Sequence, residues 1–143
     1  SNKVGFIFMD YRNHSDFSDR NTIIYGHHLR DGSMFSNLSK YKNNEYYDIF
    51  PTMILHTPSD DFRLDLFAGI IVDGSNDAVQ LDFKDDQDFQ EYMKLLKSES
   101  TFKSDTVVEA SDRIVTLCTC TYEFDNARYA LFGKLTAIDQ QPD

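Results

Sequence analysis

The stretch from Arg113 to Arg128 constrains this chain most. Arg113-Ile-Val-Thr-Leu-Cys-Thr-Cys120 is apolar or β-branched at nearly every position and reads as a buried strand, and Arg128-Tyr-Ala-Leu-Phe-Gly-Lys-Leu135 reads as the next one. The connection, residues 121–127, is short enough for a hairpin. With its turn centred near Phe124, Cys120 falls opposite Arg128 with both side chains on one face, and such cross-strand partners have Cβ atoms about 5 Å apart. Strand alternation points Thr116, Cys118 and Cys120 one way and Val115, Leu117 and Thr119 the other. Two positions along an extended strand separate Cα atoms by about 6.6 Å, near the outer limit for a disulfide, so two unbridged thiols are expected.

Similar short segments recur along the chain. Val4 to Met9 and Thr22 to Tyr25, the latter ended by Gly26, read as strands. Thr52 to Thr57 and Phe62 to Val72 read as a hairpin across Pro58-Ser-Asp-Asp61, and Val107-Val108 as a brief strand. Ser33 is placed to cap a short helix near 33–41, with Met34, Phe35, Leu38 and Tyr41 on one side. The clearest helix runs from Asp86 to Lys97, where Phe89, Tyr92, Met93 and Leu96 form a stripe, Asp85 is placed as cap and Lys94 and Lys97 suit the last turn. Many short strands and few helices predict one mostly β domain over residues 1–143, most simply a closed barrel. The acid-rich tail after Ala137 is expected to fray.

Charge bounds the partners. With 24 Asp and Glu against 14 Lys and Arg, the formal charge of -10 repels a phosphate backbone or an anionic membrane surface. Two cysteines supply no disulfide framework. Nowhere is there an apolar run of about 18 residues that would span a bilayer. The start at Ser1-Asn2 without Met reads as an excised domain, so any anchor or leader would lie outside these residues.

A cation beside a thiol favours the thiolate and can hold an oxyanion, so Cys120 and Arg128 fit a nucleophile and its partner. On spacing alone, a surface Arg beside a buried, inert Cys is the more common outcome. A Cys nucleophile needs a proton donor for its leaving group, and His14, His27, His28 and His56 compete for that role. His27, just past Gly26 at a strand end, has the kind of position where sites are mounted; each of the four also fits a plain surface or core histidine. Two Cys and two His would complete a zinc tetrahedron, but Cys-x-Cys on a strand is not the usual zinc spacing and adjacent histidines point apart. Asp85, Asp86 and Asp88 are better explained as a helix cap and first turn than as calcium ligands. No cofactor or metal is expected.

Taken together, Thr116-Leu-Cys-Thr-Cys120, Asn21-Thr-Ile-Ile-Tyr-Gly-His27-His28 followed by Asp31-Gly-Ser-Met-Phe35, and Arg128 opening the last strand resemble the signature segments of class B sortases. The helix just before the cysteine strand is similar too. The resemblance implies a closed eight-stranded sortase-like β-barrel and a cysteine transpeptidase on the outer face of Gram-positive cells, normally tethered by an N-terminal membrane segment that these residues lack. It implies cleavage of a C-terminal sorting signal after Thr and transfer to an amine of the cell-wall cross-bridge or to a Lys amine of a pilin. In those terms Cys120 is the nucleophile, His27 the general acid and base and Arg128 the group that steadies substrate and oxyanion. Cys118, where class B members often have Ser, and Thr119 and Val79 are the implied substrate contacts; Glu123 is given no role. A cysteine hydrolase of similar geometry and an inactive binding module with the same fold are the alternatives.

Overall fold

The computed structural model describes residues 7–27, 34–72, 79–120 and 128–138, with the main chain alone for His27, Met34 to Ser36 and Cys120. His28, Ser33, Glu123, the hairpin connection 121–127 and the acidic tail therefore lie outside the described residues. Six strands form: β1 (Ile7–Met9), β2 (Asn21–His27), β3 (Thr52–His56), β4 (Asp61–Val72), β5 (Ile114–Cys120) and β6 (Arg128–Ala137). They make one sheet in the order β1-β2-β5-β6-β4-β3. Every neighbouring pair is antiparallel except β2 and β5, which run parallel.

This corrects the expected closed barrel of eight strands: among the described residues the sheet has six, and it ends in two edges, β1 and β3. Val107-Val108 is not a strand. The carbonyl oxygens of Thr106 and Val108 accept from Lys97 Nζ and Gln90 Nε2 of the neighbouring helix, and that of Val107 from Lys134 Nζ, so this segment straps side chains instead of joining a ladder. β2 in turn runs past Gly26 to His27, because the ladder with β5 continues that far.

Among the described residues, three helical segments pack on the sheet. The segment Met34–Lys42 is a 3-10 helix that buries Leu38 and Tyr41. Helix α1 (Asn44–Ile49) was not foreseen: Asn43 caps it by accepting from Glu45 N, but six residues are too few to show a periodic stripe. Helix α2 (Asp86–Glu99) is capped by Asp85, whose carboxylate accepts from Asp88 N at 2.8 Å, and its stripe Phe89, Tyr92, Met93 and Leu96 is buried. Arg20 ties the start of β2 to α2 by pairing with Asp86 and lying over the Phe89 ring.

The sheet has a hydrophobic cluster on each face. One gathers Leu64, Leu66, Val115, Leu117 and Leu131 under the 3-10 helix and α1; the other gathers Ala68, Ile70, Val72, Cys118, Ala130 and Phe132 under α2. β4 serves both because its register with β6 shifts between Leu66 and Ala68, a bulge at Phe67. One extra residue moves the following even-numbered side chains to the opposite face, which explains why β4 alternates first and then reads as continuously apolar.

Beyond Asp65, where β3 stops, the outer edge of β4 is covered piecemeal. Leu66 N donates to Pro51 O, and Gly69 bonds Ser100 Oγ through its N–H and Thr101 N through its carbonyl. Gly69 has no room for a side chain: a Cβ there would sit 1.9 Å from Tyr129 Oη, which crosses over it to reach Thr101 Oγ1 at 2.7 Å.

Candidate active site

Since β2 and β5 are parallel, their C-terminal ends fall at one end of the sheet; since β6 is antiparallel to β5, its first residue falls there too. His27 is the register partner of Cys120, and Val72, the last residue of β4, is the partner of Arg128. Adjacent strands lie about 4.8 Å apart, so residues 27 and 120, far apart in sequence, are neighbours in the main chain. The β5–β6 ladder pairs Cys118 with Ala130, and continuing it by two residues brings Cys120 level with Arg128. Between these two rows the strands are tied by the Thr119 hydroxyl, which accepts from Tyr129 N at 3.1 Å and lies 3.4 Å from Tyr129 O.

The row beneath is an apolar floor. Tyr25, Cys118, Ala130 and Ile70 are successive register partners across β2, β5, β6 and β4, all packed in or against the α2-side cluster. Val79 is half-buried against the same cluster, on the segment leading into α2. Arg128 is also half-buried, and its Nε is buried with no hydrogen-bond partner among the described residues. A cation held this way has an unspent donor next to the cysteine strand.

Not all the expected contacts are open to a ligand. Cys118 is 3 % exposed and Thr119 7 %, with the Thr119 hydroxyl occupied by the β6 main chain, so both form the wall of the core below the site. Val79 remains at the surface of that cluster. His14 and His56 are exposed, each against an aspartate (Asp19 and Asp61), and belong to the opposite end of the sheet from Cys120. Their positions remove them from the competition for the proton donor.

A network that is only partly buried flanks the floor, and local sequence reading missed it. Asp10, at the end of β1, accepts from Arg12 N and Nε (3.0 and 2.9 Å) and from Tyr25 Oη (2.9 Å). The Arg12 guanidinium is the main reason the carboxyl is held down to about 2, while burial and the nearby carboxylate push the Tyr25 phenol up to about 12. The only sequence signal was an acid directly ending an apolar run with an Arg two residues on. A carboxyl depressed from 3.8 to about 2 by a half-exposed, solvent-screened Arg12 adds on the order of 1 kcal/mol of stability that is present above the ordinary carboxylate range and lost as the pH falls through about 2. Urea unfolding between pH 7 and pH 2 will therefore show Asp10→Asn less stable at neutral pH and with a shallower acid slope. An unchanged slope would exclude this role for Asp10.

No family model matches the chain. Among curated proteins it is 36 % identical to Sortase B of Listeria monocytogenes over 135 residues, 93 % of this chain and 55 % of that protein. The solved Listeria sortase B superposes with a TM-score of 0.77 at 36 % identity, over 90 % of this chain and 71 % of that one. A substrate complex of Staphylococcus aureus sortase B superposes with a TM-score of 0.85 at 31 % identity, over 94 % and 63 % of the two chains, and a sortase B complexed with triglycine with 0.83 at 32 %, over 93 % and 63 %. The chain belongs to the sortase B family. It spans about half the length of the curated relatives it matches.

Proposed function

We propose that this chain is the catalytic domain of a cysteine transpeptidase that acts at the cell surface on proteins bearing a C-terminal sorting signal. The observation that carries the reading is the register pairing of His27 with Cys120 on parallel neighbouring strands, with Arg128 opening the strand on the other side. Membership of the sortase B family supports it, as do relatives solved with a substrate and with triglycine.

In this reading the Cys120 sulfur attacks the carbonyl carbon of the signal's threonine, and the oxyanion is held by main-chain N–H groups and Arg128. His27 protonates the departing amine as the C–N bond breaks, leaving a thioester. An incoming amine, of a cell-wall cross-bridge or a pilin Lys, then gives its proton to His27 as it attacks, and the thiol is released. Arg128 suits this role because a cation with an unspent buried donor gains a partner only when the oxyanion or substrate carbonyl arrives.

The test is product analysis. A pentapeptide library with one fixed Thr, incubated with the chain and triglycine, is expected to yield the triglycine adduct by mass spectrometry. Hydrolysed acid alone would make the chain a hydrolase, and no thiol-dependent turnover would sink the enzyme reading.

A further inference from the structure

Tyr129 directly follows Arg128 on β6, and successive strand residues point to opposite faces. Arg128 falls on the α2 side with Ala130, while Tyr129 is buried in the cluster under the 3-10 helix and α1. The β5–β6 ladder ends at Cys118 and Ala130, two residues short of Arg128, although the β4–β6 ladder runs on to Val72 and Arg128. Toward β5, the start of β6 is tied by Tyr129 N, which donates to the Thr119 hydroxyl at 3.1 Å.

The side chain of Tyr129 adds a second hold. Thr101 Oγ1 donates its one proton to Tyr41 O at 2.9 Å, so at the 2.7 Å contact Tyr129 Oη is the donor and Thr101 Oγ1 the acceptor. Thr101 is itself fixed to β4, its N–H donating to Gly69 O at 2.8 Å. The chain from Tyr129 through Thr101 to Tyr41 therefore joins β6 to the edge of β4 and to the 3-10 helix. A phenylalanine would fill the same apolar volume with no partner to find. A glycine in a strand interior gives up packing, and at Gly69 that loss makes room for one phenolic oxygen. The residue so fixed adjoins the cation of the site.

We propose that Tyr129 is a positioning residue: anchored across Gly69 to Thr101, it fixes the start of β6 and so aims the Arg128 guanidinium at the oxyanion. The proposal rests on the acyl-transfer reading above and adds the device that holds its cation in place. Stabilising a charge that develops during reaction requires donors fixed beforehand, so a loosened Arg128 loses more in the transition state than in substrate binding.

Tyr129→Phe removes the donor and keeps the ring. Thr101→Val removes the acceptor from a different element, leaves β6 untouched and is expected to act in the same direction. With the preferred peptide of the fixed-Thr library and triglycine, at a temperature well below each variant's Tm, kcat should fall roughly five- to tenfold with KM within about twofold. The same two substitutions made in Arg128→Met should change its slow turnover by less than about twofold, because no guanidinium is left to aim. Equal losses of kcat in the parent and in Arg128→Met would overturn the proposal, since a core tyrosine that matters only for packing acts alike in both. Unchanged kcat in both single variants would overturn it as well. A wild-type chain that turns over no peptide removes the acyl-transfer reading and the role of Tyr129 with it, whereas an active chain with equal losses removes that role alone.

Discussion

Cys120→Ala will abolish acyl-enzyme formation, while Cys118→Ser will retain turnover within a few-fold of the parent chain. The two cysteines are two residues apart on β5, and Cys118 belongs to the core. Cys118 is 3 % exposed and packed with Val72, Ala130 and Phe132 under α2, where a thiol behaves as a small hydrophobe. Serine there places a hydroxyl in an apolar cluster, at a cost of roughly 1–3 kcal/mol of stability, without altering the strand that carries residue 120. Cys120 ends the strand, level with His27. Intact mass after incubation with a sorting peptide reads the thioester directly, and urea unfolding reads the stability. Loss of activity in Cys118→Ser comparable with that in Cys120→Ala would mean that the reactive sulfur is the buried one.

Arg128→Met will separate function from stability. Methionine keeps much of the aliphatic packing of a half-buried Arg and removes an Nε that is buried without a partner among the described residues. An unsatisfied buried donor costs about 1–3 kcal/mol, so the variant is expected to be as stable as the parent chain or about 1 kcal/mol more so. Turnover should fall about 10²- to 10³-fold, the usual effect of deleting one donor to a developing oxyanion. Arg128→Lys should recover little of it, because an ammonium on a flexible stem does not reproduce the planar donor set. A Tm drop of the size caused by core truncation, or turnover within tenfold of the parent, would make Arg128 a structural residue. Such a gain in stability with a loss in activity is the mark of a group kept for its chemistry.

The contrast between these two residues shows where local reading of the chain was sufficient. Helix α2 was legible because its stripe, its Asp85 cap and its terminal charges all agree within fourteen residues. Strand identity was legible for the six segments that pair, since β-branched and apolar runs between turn residues need only local context. Val107-Val108 had the same local character and failed, because its two carbonyls are taken by Lys134 and Gln90 side chains instead of a neighbouring strand. Helix α1 and the Asp10–Arg12–Tyr25 network were invisible for the opposite reason: each depends on partners from elsewhere, Tyr47 stacking on Phe102 in one case and Tyr25 reaching Asp10 in the other.

By itself the sequence determined which segments are strands, which is the strong helix and which family's motifs the chain carries, because periodicity and residue type are local properties. Only the tertiary structure decided that β2 lies parallel to β5 with His27 opposite Cys120, that a bulge at Phe67 hands β4 from one core to the other, and that the described sheet is open at β1 and β3. Strand pairing joins residues nearly a hundred positions apart. Its register is set by which faces must be buried together, and no local stretch of the chain records that.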